Sequence, residues 1–159
     1  MKIKIICLGK IKEKYLVNGI NEYLKRLQAY SKVEIIEINE YKLMDNPNTK
    51  EINIALEEEA LRINKFLNKD DYIIVLDIDG KSFDNYQFSD IIKKANVNGF
   101  STISFVIGSS HGLAKQIKEQ ANLRWSFSKL TFPHQLMRLI LVEQIYRTFR
   151  IINNEPYHK

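Results

Sequence analysis

The sequence has one cysteine, three prolines and six glycines in 159 residues. A lone thiol, Cys7, cannot close an internal disulfide. It stands in an apolar stretch, where a small buried hydrophobe is the expected role. No apolar run approaches the roughly 20 residues that a membrane-spanning helix needs. The opening Met1-Lys2-Ile3-Lys4 carries neither an apolar signal core nor a small-residue cleavage site. These absences fit a reducing cytoplasm without membrane attachment. Proline and glycine are scattered, with no linker, repeat or low-complexity run, so residues 1–159 read as a single domain.

Two further absences bear on chemistry. Neither G-x-x-x-x-G-K-[ST] nor G-x-G-x-x-G occurs, so nothing points to a nucleoside triphosphate or a dinucleotide. His111, His134 and His158 lack metal-ligand spacing, and there is no Cys/His cluster, so no metal is expected. Cys7 reads as core and makes a poor thiol nucleophile.

Hydrophobic residues make up 45% and charged residues 27%, an ordinary globular balance. Lysine and arginine outnumber the acids 24 to 19, giving a net charge of +5. That excess suits a polyanionic partner without requiring one.

Strand and helix patterns alternate along the chain. Strands are predicted at 2–8, 33–38, 72–76, 102–107 and 123–127. Helices are predicted at 13–30, 49–67, 87–95, 113–120 and 134–152. Asn48 with Glu51 three residues on has capping-box spacing. Asp77-Ile78-Asp79-Gly80 reads as a turn, and Pro133 suits a helix start. The alternation indicates an α/β layer fold with a mostly parallel sheet flanked by helices. In the last helix, Leu136, Met137, Leu139, Ile140, Leu141, Val142 and Ile145 make an apolar surface wider than one stripe. Either the monomer buries it on several sides or a second subunit covers part of it.

In open parallel sheets, ligands lie outside the carboxyl ends of the strands. Leu76, Gly108 and Phe127 mark three such ends. Gly108 allows close backbone approach to a ligand, or is simply a turn residue. Trp125 and Phe127 share a strand face, where core packing is expected. Arg138, Arg147 and Arg150, with Lys129 before them and Lys10, Lys12 and Lys14 near the start, are candidate phosphate contacts. For each of them the alternative is a solvated charge.

Four segments carry a family resemblance. They are Ile5 to Tyr15, the loop Phe105-Val106-Ile107-Gly108-Ser109-Ser110-His111-Gly112, the loop from Ser126 to His134, and the terminal Glu155-Pro156-Tyr157-His158-Lys159. In order and spacing the chain resembles, over nearly its whole length, the RlmH-type methyltransferases of the SPOUT class. The resemblance implies a carboxyl-terminal trefoil knot, a homodimer, and S-adenosylmethionine as cofactor without a metal. It places Leu76, Gly108, Phe127, Ser128, Lys129, Leu130, Thr131 and Phe132 around that cofactor. The implied substrate is a pseudouridine of 23S rRNA in the assembled ribosome, methylated at its N3 imide nitrogen. An imide carries a proton, so a base or a cationic stabiliser is needed. His158 and Lys159 are candidates, with Tyr157 as a stacking or hydrogen-bonding partner of the base. His134 is expected to orient its loop. One departure stands out: Ser109 replaces a glycine common in the family. Another SPOUT activity on a tRNA base or ribose, or a non-catalytic ribosome-binding or assembly factor, is the competing reading.

Overall fold

Side chains on a strand alternate between its faces, and the first strand shows what this sheet does with both. The structure, a computed structural model, describes residues 1–157. In β1 (Lys2–Leu8), Ile3, Ile5 and Cys7 enter one apolar layer, while Ile6 and Leu8 enter another. A strand covered on both sides must be apolar almost throughout. Lys4 is the exception. Its ammonium is buried, 2.5 Å from Asp71 and donating to the Phe66 carbonyl. Asp71 also accepts from Ser104 Oγ and the Asn68 N–H, so the buried pair is well hydrogen-bonded.

The remaining elements are α1 (Lys14–Leu27), β2 (Lys32–Ile38), α2 (Thr49–Asn64), β3 (Asp71–Lys81), α3 (Asn85–Val97), β4 (Thr102–Ile107), α4 (Lys115–Gln120), β5 (Leu123–Trp125) and α5 (His134–Ile152). The five strands form one parallel sheet in the order β2-β1-β4-β3-β5. Helices α1, α3 and α5 share one apolar layer with the sheet, and α2 and α4 the other. Asn48 and Glu51 form the expected capping box at the start of α2. Asp84 and Gln87 form a second at the start of α3.

The turn expected at Asp77–Gly80 is instead strand. β3 continues to Lys81, with a register shift between Leu76 and Lys81 where it pairs with Trp125. Gly80 permits this contact, since a Cβ there would lie 2.5 Å from the Arg124 carbonyl oxygen. Trp125 stacks on Phe88 with centroids 3.7 Å apart, and Phe127 lies 4.2 Å from Trp125. Both aromatics pack in the core layer, as expected.

The breadth of the apolar surface on α5 has an internal cause for part of its residues. α5 lies on the sheet between α1 and α3, and Leu141, Val142 and Ile145 are buried within the single chain. Leu136 and Ile140 are half-buried.

Candidate functional site

The carboxyl ends of β3, β4 and β5 open onto a cavity of about 690 Å³. Its position is the one open parallel sheets favour, and its size falls in the usual range for small-molecule sites. Three stretches make the wall. Leu76 to Asp79 come from β3, Gly108 to Leu113 from the loop after β4, and most of Phe127 to His134 from the loop before α5. Ile107 of β4, Trp125 of β5, Lys118 of α4 and Met137 of α5 complete it.

The β4 loop is folded tightly on itself. The Gly112 N–H donates to the Ser109 carbonyl at 2.9 Å, and Gly112 has φ +87°. A Cβ on Gly108 would lie 2.4 Å from the Gly112 carbonyl oxygen. The close approach expected of Gly108 is therefore to its own loop, which could not close around a side chain there. Ser109 lies outside the left-handed region, and its Oγ donates to Glu59 Oε2 at 3.0 Å. A serine is accommodated where the family commonly has glycine.

The second loop is held by a serine turn. Ser128 Oγ accepts from the Leu130 N–H at 2.9 Å, and Ser126 Oγ donates to the Ser128 carbonyl at 3.2 Å. The cavity also contains a fixed anion. Asp77 is buried, which by itself would raise its carboxyl. Hydrogen bonds from Arg124, the Asp79 N–H and Lys118 outweigh burial and hold it below the ordinary value. The closest of these runs from Arg124 Nη2 to Asp77 Oδ2 at 2.7 Å. At the opening of α5, His134 Nε2 is 3.2 Å from Glu40 Oε1.

Comparison with known proteins fixes the family. Residues 1–158 match the family described as "Predicted SPOUT methyltransferase". The chain is 52% identical over 159 residues to the "Ribosomal RNA large subunit methyltransferase H" of Clostridium botulinum (strain 657 / Type Ba4). It is 49% identical over the same length to the protein of that name from Enterococcus faecalis (strain ATCC 700802 / V583). Both alignments cover 100% of each chain.

The chain belongs to the SPOUT methyltransferase family.

Of the cofactor residues expected in this SPOUT chain, Leu76, Gly108, Phe127, Ser128, Leu130, Thr131 and Phe132 all border the cavity. Lys129 does not; it is exposed beside it. Ser110 and His111 border it as part of the singled-out loop after β4, and Asp77, Lys118 and Met137 border it without having been expected. Reading Asp77 to Gly80 as a turn hid Asp77, although a carboxylate directly after an apolar strand was the available signal.

The candidate RNA-binding arginines are committed to internal partners. Arg138 is 1% exposed, donating to Glu37 Oε2 at 2.7 Å and to the Gly9 carbonyl at 3.0 Å. This corrects its expected role, because a guanidinium enclosed in the fold is not a surface phosphate contact. Arg147 lies 2.6 Å from Glu143 Oε1 and covers the Tyr157 ring at 4.9 Å. Arg150 pairs with Glu155 at 2.6 Å.

Tyr157 does not border the cavity within its own chain. Its ring meets Tyr146 edge-on at 5.0 Å, and its hydroxyl donates to Glu143 Oε1 at 3.1 Å. Burial, with hydrogen bonding to Tyr23 and the Glu143 carboxylate, raises its phenol well above the ordinary value. His158 and Lys159 lie outside the described residues. Burial pushes the Cys7 thiol up to about 12, despite the opposing charge of Arg138, so it is not a thiolate nucleophile. Among the described residues, no group of three or more His, Cys, Asp or Glu side chains could hold a metal ion. No helix among them is long and apolar enough to cross a membrane.

Proposed function

We propose that this chain methylates the N3 imide nitrogen of a pseudouridine in 23S rRNA of the assembled ribosome, using S-adenosylmethionine and acting as a cytoplasmic homodimer. The observation that carries the reading is the cavity joining the three strand ends, in a SPOUT chain about half identical to full-length relatives named for large-subunit ribosomal RNA.

The wall suits a nucleoside-bearing donor. Leu76, Leu113, Phe127 and Met137 offer apolar surface for a flat ring, and Ser128 and Thr131 add hydroxyls. Leu76, Gly108, Phe127, Ser128 and Leu130 to Phe132 would hold the donor, with Lys129 at the rim. When bound, the donor supplies an electrophilic methyl group on its sulfonium. The chain's part is to orient both partners in line and keep water out. Asp77, neutralised by Arg124 and Lys118, would fix the β3 wall against which the donor lies. His158 or Lys159 would take the imide proton or stabilise the charge left by its loss, and Tyr157 would stack on the base.

Lys129, Lys10, Lys12 and Lys14 are exposed and suited to phosphate contacts. Arg147 and Arg150 join them only by exchanging a carboxylate for a phosphate oxygen. Beyond these, the ribosome surface would supply shape and further contacts.

The test is mass spectrometry of ribosomal RNA from cells lacking the protein. One methyl should vanish from one pseudouridine of 23S rRNA. Purified protein with S-adenosylmethionine should restore it on intact ribosomes. Unchanged rRNA methylation overturns the reading, and a methyl lost from a tRNA instead assigns another substrate.

A further inference from the structure

Glu59 is a polar residue in an unsuitable place for the fold alone. It lies on α2, 3% exposed, beside Ala60 and Ile63, which pack on the sheet. Burying a carboxylate is unfavourable unless donors meet it, and an apolar side chain there would serve packing better. Both oxygens do meet donors, and the donors come from two separate loops. Oε1 accepts from the Tyr41 N–H at 3.0 Å, and Oε2 accepts from Ser109 Oγ at 3.0 Å.

Each loop leads to a wall of the cavity. Ser109 belongs to the wall after β4. The loop of Tyr41 carries Glu40, whose carboxylate lies 3.2 Å from Nε2 of His134, another lining residue. α2 holds this loop at a second point, since Arg62 donates to the Asn39 carbonyl at 2.8 Å. The contacts therefore run from Ser109 through Glu59 to Tyr41, and on through Glu40 to His134. This path joins two of the loops that line the cavity.

We propose that Glu59 is a positioning residue, the central member of a brace that fixes the separation of the two loops before the methyl donor enters. The proposal rests on the reading of this cavity as the donor site. A pocket held at its bound width loses less freedom on binding. Cutting the brace therefore lowers donor affinity more than it lowers stability. Ser109 supplies one arm through a hydroxyl that glycine at this position would lack.

The test measures S-adenosylmethionine affinity by calorimetry on the full chain, with thermal stability alongside. Glu59→Gln and Ser109→Ala should each weaken binding about tenfold, the loss expected for one hydrogen bond to a charged group. Glu58→Gln, an exposed neighbour on the same helix, should bind as the wild type does. Glu40→Gln should weaken binding less in a Glu59→Gln background than alone, because the path is already broken. Ser109→Ala changes only a loop side chain, so it serves if Glu59→Gln does not fold. Wild-type affinity in Ser109→Ala, or additive effects of Glu40→Gln and Glu59→Gln, overturns the brace. Failure of the wild type itself to bind the donor overturns the donor-site reading instead.

Discussion

Tyr157 lies five residues past the end of α5, and its phenolic hydroxyl donates to Glu143 Oε1 within that helix, 3.1 Å away. The contact ties the end of the described chain to α5 at a distance from its own cavity. In the proposed dimer, the terminal segment would serve the partner's site. Deleting residues 157–159 should leave donor binding intact and lower methyl transfer by about 100-fold or more. Tyr157→Phe keeps the ring on Tyr146 and removes only the hydrogen bond, so its activity should fall far less. Calorimetry and single-turnover transfer to ribosomes separate the two effects. Full activity after the deletion would remove the terminus from the active site.

Arg138 ties α5 to the ends of β1 and β2. Arg138→Ala leaves Glu37 and the Gly9 carbonyl without their donor and opens a void in the fold. Glu37 is exposed and can turn to water, so the cost is that of the lost hydrogen bonds to a charged group, about 1.5–3 kcal/mol. At roughly 2–4 °C per kcal/mol, the melting temperature should drop by several degrees. An unchanged midpoint would show that the guanidinium is not a structural tie.

Ile140 and Ile145 share a helix but not a fate. Ile145 is 2% exposed inside the monomer, so Ile145→Asp should unfold the protein by burying an unpaired charge. Ile140 is half-buried, so Ile140→Asp should leave a folded chain that no longer dimerises. Sedimentation together with circular dichroism reads both outcomes. A wild-type monomer at micromolar concentration would remove the dimer.

Asp77 contributes stability that depends on its charge. Its carboxyl lies below the ordinary 3.8 in the folded chain. The folded state thus binds the proton less tightly than the unfolded one. The contribution is complete above about 3.8 and is lost as pH falls through the folded value. Asp77→Asn should melt earlier than wild type at neutral pH, and the gap should close in acid. A gap that is constant with pH would assign the effect to shape and not to charge.

Much of this architecture was legible in the sequence because it rests on local rules. Apolar runs bounded by turns gave the buried strands, and β4 and α5 lie at their predicted bounds. Asn48 and Glu51 signalled the α2 cap through a contact three residues long. Leu76, Gly108 and Phe127 do meet at one cavity, as expected of the carboxyl side of a parallel sheet, although β3 runs five residues past Leu76 and β5 stops two residues before Phe127. What was misread depended on remote partners. Asp77 to Gly80 extend β3 because Trp125 and Arg124 lie alongside, a pairing across more than 40 positions. The local composition of that stretch is that of a turn.

The sequence by itself determined the alternation of strands and helices, the family, and the loops that border the cavity. Each follows from residue type and short-range spacing. Tertiary structure alone decided which charges face outward and which hold the molecule together. Arg138 and Lys129 are both basic residues beside the same loop, yet one is enclosed by Glu37 and Gly9 and the other is exposed. It also decided that Glu59, one of a run of acids on α2, reaches two loops distant from it in sequence. The physical reason is the same in each case: burial and hydrogen-bond partnership are properties of a position in space, and residue type does not encode them.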